Sequence, residues 1–367
     1  MASISSRWGA LPRGLRRLLA LVGSLAFVLA AGCEQPEPPR TVVAYVGAGK
    51  GTASVNVFFP SVLHIRAGDT VTWRMNADGD PHTVTFSDTP ETITDIISVP
   101  SGEPFPLMFN PQLLLSTRES GEPVETYEDS GYFNSGIFFG AVRNVPVLNS
   151  YSLRFTKPGS YTYVCGIHDY MKATVLVEDA QATPPEQTEI DQQAQKEADP
   201  YLQTTGYNQQ LIQTRRVFDQ EAGPDGTSVW IVSAGVGPRE AEVVDFHPKT
   251  LTVKEGDTVV WTSSAYHSIV FDPLRPLAQF YLPGPATASP PVVGVNSEAV
   301  VVTKPSAYYD GTAFVSSGLI GPNVRWIGIR PAGVGFSLTF PKAGVYSYVC
   351  PIHVGVGMTG SVTVVPR

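Results

Sequence analysis

The chain is poor in cysteine, in charge and in long hydrophobic runs. Three cysteines in 367 residues are too few for a small secreted scaffold held by disulfides. Charged residues make up 16%, and 25 Lys+Arg against 33 Asp+Glu leave a formal net charge of -8. A general nucleic-acid binder needs a basic surface to meet phosphates, so that class is excluded. The uncharged apolar run from Leu18 to Ala31 is too short for a comfortable membrane-spanning helix. No long helical period is present, and with 34 glycines and 32 prolines the composition argues against a mostly helical protein without reaching low complexity. The length suggests two or three domains, each able to bury a sizeable core.

What is present begins with a targeting segment. Residues 1–17 contain Arg7, Arg13, Arg16 and Arg17 and no acid, and the apolar run that follows suits the central region of a signal peptide. It ends in Leu29-Ala-Ala-Gly-Cys33, which resembles the bacterial lipoprotein signal, although the bulky aliphatic residue stands one position earlier than usual. The resemblance implies a signal peptide over 1–32 and membrane attachment through a lipid on Cys33. It further implies a location at the outer face of the cytoplasmic membrane or in a periplasm. Residues 33–41, rich in Pro and Glu, read as a flexible tether. An ordinary secretory peptide cleaved nearby, with Cys33 incidental, is the alternative.

A long internal repeat organises the rest. Ala67-Gly-Asp-Thr-Val-Thr-Trp73 returns as Glu255-Gly-Asp-Thr-Val-Val-Trp261, and Pro81-His82-Thr-Val-Thr-Phe86 as Tyr266-His267-Ser-Ile-Val-Phe271. Leu153 to Cys165 returns as Leu338 to Cys350, and each cysteine is followed at the third position by a histidine, His168 or His353. The interval from the first histidine to the cysteine is 83 residues in both copies. Short alternating runs after Gly-Asp and Pro-Gly turns, ending in the β-branched segments 173–177 and 361–365, indicate strands. The expected fold is all-β: two Greek-key β-sandwich domains in tandem, over 42–178 and 227–367. Residues 179–226 form a linker that is helical in part, interrupted at Pro200 and Gly206. Much of 83–164 and of 273–335 is weakly patterned and reads as long surface insertions. Trp73 and Trp261 align as core aromatics; His64 and His247 do not align with one another and read as structural or surface residues.

Each copy carries two histidines, one cysteine and one methionine: His82, Cys165, His168 and Met171, then His267, Cys350, His353 and Met358. A thiolate and two imidazoles with a weak thioether form a blue-copper electron-transfer site. Thiolate and thioether favour Cu(I) and imidazole suits Cu(II), so a rigidly held mixed set serves both states. Methionine also fills cores anywhere, and such a His/Cys set does not exclude zinc. A disulfide between Cys165 and Cys350 would have to join the same position of two similar domains.

On these residues each copy resembles the cupredoxins, the small blue-copper proteins. Cys165-x2-His168-x2-Met171 is similar to the ligand loop of amicyanin, and Cys350-x2-His353-x4-Met358 to that of plastocyanin or pseudoazurin. The resemblance covers roughly 42–178 and 227–366 apart from the insertions. It implies one type 1 copper per domain, held by the eight residues named, with His168 and His353 nearest the surface, where electrons enter or leave. The long insertions depart from the family, and so do Thr83 and Ser268, where asparagine is common.

The resulting expectation is an electron carrier, not an enzyme. It would shuttle single electrons between redox proteins such as a cytochrome or a respiratory or photosynthetic complex, with no nucleic-acid partner. Copper handling or delivery is the alternative reading, though Met-rich and His-rich tracts are missing. A two-domain copper oxidase or nitrite reductase-like enzyme needs further imidazoles, typically one directly before the cysteine. Val164 and Val349 stand there, and four of only six histidines are already assigned.

Overall fold

The structure, a computed structural model, describes residues 38–367 apart from 91–95, 99–104, 119–121, 139–148, 215–219, 273–274, 276–278, 286–291, 323–332 and 334. The expected signal peptide, Cys33 and most of the tether lie outside the described residues.

Alternation builds the sandwiches. In Thr70–Met75, Val71 and Trp73 point inward and Arg74 outward; Lys172–Glu178 and Thr359–Val365 alternate in the same way. In the first half, one sheet contains Ala53–Phe59, Thr41–Ala48, Thr70–Met75, Ser150–Phe155 and Glu125–Tyr127 in spatial order. The facing sheet contains Val62–Arg66, Lys172–Glu178, Gly159–Val164, Thr85–Phe86 and Phe133–Asn134. The second half repeats the plan, down to its parallel pairings. Thr41–Ala48 runs parallel to Thr70–Met75 as Ser228–Val236 does to Thr258–Thr262, and Val62–Arg66 to Lys172–Glu178 as Thr250–Lys254 does to Thr359–Val365. Trp73 and Trp261 are fully buried, each edge-on to the tyrosine two residues before the cysteine, Tyr163 or Tyr348.

The repeated Gly-Asp has a structural cause. Gly68 and Gly256 take positive φ (+106° and +87°), which favours glycine. The buried carboxylates that follow accept backbone N–H bonds from both sides of the turn: Asp69 from Arg40 and Arg66, Asp257 from Ser228 and Lys254.

The halves share a seam. Ala53–Phe59 pairs antiparallel with Ala241–His247, making one ten-stranded sheet, with Ser54 directly opposite Glu242. These two residues are also repeat equivalents, each fifteen positions before its turn aspartate, so the axis relating the copies passes between them. The helix Gln187–Thr214 braces this seam, burying Ala194 and Ala198 against Ala48, Val55 and Phe59. It continues through Pro200 and Gly206, where the sequence suggests interruptions. Both residues sit on its exposed side, where the carbonyl that proline leaves unpaired is open to solvent.

The insertions do not simply lie on the surface. Ile96–Ser98 and Leu107–Phe109 from the first join Tyr281–Pro283 and Val293–Val295 from the second in one four-stranded sheet. Around it Ile96, Phe109, Phe280, Tyr281, Val293 and Val295 form a separate apolar cluster, and Ile167 and Ile352 pack against that cluster.

Candidate metal centre

Each candidate site sits where a strand ends. Cys165 follows Gly159–Val164, and the loop after it closes through Cys165 N–H to the Met171 carbonyl (2.9 Å) and Met171 N–H to the His168 carbonyl (2.9 Å). In the second half, Cys350 N–H donates to Met358 (3.1 Å) and Met358 N–H to His353 (3.2 Å). The loop there is two residues longer and contains a 3-10 turn, Val354–Val356, capped by Gly357 at φ +87°. His82 is held in an antiparallel bridge to Phe138, and His267 opens the strand His267–Phe271 opposite Ile320.

The structure brings His82, Cys165 and His168 together, and likewise His267, Cys350 and His353, with the ligand atoms of each group within 4.8 Å of one another. Sγ of Cys165 lies 3.9 Å from His82 Nδ1 and 3.7 Å from His168 Nδ1. Sγ of Cys350 lies 3.7 Å from His267 Nδ1 and 3.6 Å from His353 Nδ1. Met171 and Met358 are buried in the same cores as the two cysteines. Both cysteines are free thiols, not a disulfide. His64 pairs with Glu178, and neither His64 nor His247 joins either group.

The surroundings favour thiolate. Burial alone would raise the Cys165 thiol, but bonding to His168 and His82 outweighs it and holds the group well below its usual value. Burial is likewise overcome at Cys350, where His267 and His353 bring the thiol down to about 5. A backbone N–H also points at each sulfur, from Thr83 (3.4 Å) and Ser268 (3.5 Å). The main chain thus supplies this contact whatever side chain follows the histidine.

Two carboxylates that sequence reasoning missed stand behind the second site. Glu242 Oε1 accepts from His267 Nε2 at 2.9 Å, and Asp80 Oδ1, from the first half, accepts from His353 Nε2 at 2.7 Å. Ser54 and Asn56 hold the other Asp80 oxygen (2.8 and 3.0 Å). Burial opposes the charge of Asp80, but His353 and then His168 keep it well below the usual carboxylate range. Against the burial that lowers it, the Glu242 charge raises His267 to about 9, and Asp80 likewise raises His353 well above its usual value. No repeat signal marks these acids, because Ser54 and Ala265 occupy the matching positions of the other copies.

His168 and His353 are the more exposed imidazoles of their sets, in the order expected, yet both are buried: 8% and 3% exposed, against 0% for His82 and His267. The two histidine edges face the seam: a small cavity there is lined by His168, Tyr170, Asp80, Arg239, Glu242 and Tyr266. A second is closed by Phe109, Phe280, Tyr281 and Ile352 under the shared insertion sheet.

The family match agrees with the donor chemistry of the second half. Residues 233–365 match the family model described as copper binding proteins, plastocyanin/azurin family. Over 121 residues the chain is 29% identical to plastocyanin of Scenedesmus fuscus, covering 32% of this chain and 85% of that one. It is 31% identical over 121 residues to chloroplastic plastocyanin of Tetradesmus obliquus, covering 32% of this chain and 57% of the relative. Similar solved structures include a mutant amicyanin with Cu(I) (19% identity, 38% of this chain and 82% of that one, TM-score 0.21). Oxidised plastocyanin of Dryopteris crassirhizoma is another (22% identity, 37% and 99%, TM-score 0.21).

Proposed function

We propose that this protein carries single electrons on two type 1 copper centres. The first is held by His82, Cys165, His168 and Met171, the second by His267, Cys350, His353 and Met358. The observation that carries this reading is the duplicated convergence of two imidazole Nδ1 atoms on a buried, thiolate-favouring sulfur at 3.6–3.9 Å. Soft sulfur with imidazole is the donor chemistry that suits copper, and the seam carboxylates fix two of the rings with Nε2–H outward and Nδ1 free for a metal. When bound, copper supplies the couple between Cu(I) and Cu(II). The strand ends and the loop-closing hydrogen bonds hold the donors in place, so that little has to move on electron transfer. The remaining imidazoles belong to neither group, which supports a carrier over an oxidase. Deep burial of all six imidazole and thiol donors supports resident copper over delivery. The partners would be redox proteins outside the cytoplasm, with the chain tethered to a membrane through a lipid on Cys33.

Metal analysis and visible absorption of the oxidised protein test this. Two coppers per chain and an intense thiolate-to-copper band are expected, with Cys165→Ser and Cys350→Ser each removing one copper and about half of the intensity. A colourless protein without copper overturns the reading.

A further inference from the structure

We propose that Glu242 is a positioning residue for the second donor set, and that with Asp80 it makes the second copper the lower-potential centre of the pair. This rests on the two-copper reading above.

The copies supply the same donor types, but their surroundings are unequal. In the second sandwich both imidazoles donate Nε2–H to buried carboxylates: His267 to Glu242 at 2.9 Å and His353 to Asp80 at 2.7 Å. Glu242 is 1% exposed and Asp80 8%. In the first sandwich His82 Nε2 is buried with no hydrogen-bond partner among the described residues. Gly47 lies against that ring, and a Cβ there would stand 3.0 Å from Nε2. The position matching Glu242 is Ser54, whose hydroxyl turns to Asp80. The position matching Asp80 in the other copy is Ala265. One acid from each half therefore serves the second site, and the seam pairing that sets Ser54 opposite Glu242 brings them there.

The consequence is electrostatic. A carboxylate accepting from Nε2–H makes the imidazole a stronger donor at Nδ1 and fixes its tautomer. Its negative charge, in a buried setting where charges are weakly screened, favours the more positive oxidation state. Both effects stabilise Cu(II) over Cu(I) and so lower the potential. The charge of Asp80 also reaches His168, so part of its effect falls on the first centre. Glu242 bonds a ring of the second alone. Given the unequal potentials, one electron passes from the reduced second centre to the oxidised first. An external one-electron reductant restores the second and an external one-electron oxidant drains the first.

The test is a redox titration of copper-loaded protein, followed in the visible band. Cys165→Ser and Cys350→Ser assign the waves, since each leaves one centre. Two waves are expected, the lower belonging to the second sandwich. Glu242→Gln keeps the size and an accepting oxygen but removes the charge. It should raise the lower wave by at least tenfold in the Cu(II)/Cu(I) ratio, ~59 mV for one electron, and leave the upper wave in place. Asp80→Asn is the second variant, should Glu242→Gln fail to load copper; it should raise the lower wave more than the upper. Two blue centres with the second not the lower, or a lower wave unmoved in whichever variant loads, overturns the assignment and leaves the two-copper reading standing. Protein that binds no copper overturns both.

Discussion

In the first sandwich the distant histidine, His82, presses its Nε2 edge on glycine and finds no acceptor among the described residues. In the second its counterpart His267 meets a buried glutamate. The inequality reverses at the residue after each histidine. Thr83 Oγ1 accepts the Gly166 N–H at 2.7 Å and bonds Thr85 Oγ1 at 2.8 Å, tying the histidine strand to the ligand loop. Ser268 Oγ is buried with no partner among the described residues. The two copies thus share the candidate donors, while the surrounding polar groups differ. The first site is braced by a hydroxyl cross-link within its own half, the second by acids drawn from both halves.

The sharpest way to break this contrast is at the paired glycines beside the rings. Gly235 has φ +80°, and a Cβ there would stand 1.6 Å from Glu242 Oε1 and 2.6 Å from His267 Nε2. Gly235→Ala should therefore expel the glutamate and leave a buried pair broken, costing about 3–5 kcal/mol and most of the second centre's colour. Gly47→Ala, at φ +67° with Ala77 Cβ at 2.8 Å, has no acid to displace. It should cost about 2 kcal/mol, mostly the left-handed backbone. Denaturant unfolding of the two variants, with the visible band of each copper-loaded protein, compares them.

A comparable effect is expected where the copies act together. Phe109, from the first insertion, stacks on Tyr281 of the second (5.6 Å, 18°) and meets Phe280 edge-on. Their cluster supports Ile167 and Ile352, one from each ligand loop. Phe109→Ala should cost about 3 kcal/mol and quicken copper loss to a chelator from both centres. Loss quickened at the first centre alone would mean that the insertions cover their own halves separately.

Much of this was legible in the sequence, for a physical reason. Candidate ligand residues, turn glycines and aspartates, and core tryptophans are tied to one backbone geometry, so they recur in both copies and the repeat exposes them. Trp73 and Trp261 are fully buried as read. The seam left no such trace. Asp80 and Glu242 each occur in one copy only, and their meaning depends on which strand edges pair. Nothing along the sequence shows that Ala53–Phe59 lies beside Ala241–His247, nor that this contact buries His168 and His353. The insertions were opaque for the same reason. Their strands of three residues carry no periodicity, and they become a sheet only by pairing across the halves.

The finest test concerns the hydroxyls. Thr83→Val preserves shape but removes the acceptor of the Gly166 N–H, a buried donor. Leaving such a group unpaired costs about 1–3 kcal/mol. Ser268→Ala removes a hydroxyl that bonds nothing among the described residues, so its burial is an uncompensated cost. The change should be neutral or stabilising, by about 0.5 kcal/mol or less. Both sulfurs keep the main-chain N–H that points at them, so neither variant should abolish its colour. Equal losses of stability in the two would mean that Ser268 has a partner equivalent to the one Thr83 has. The difference between the copies would then lie in the carboxylates alone.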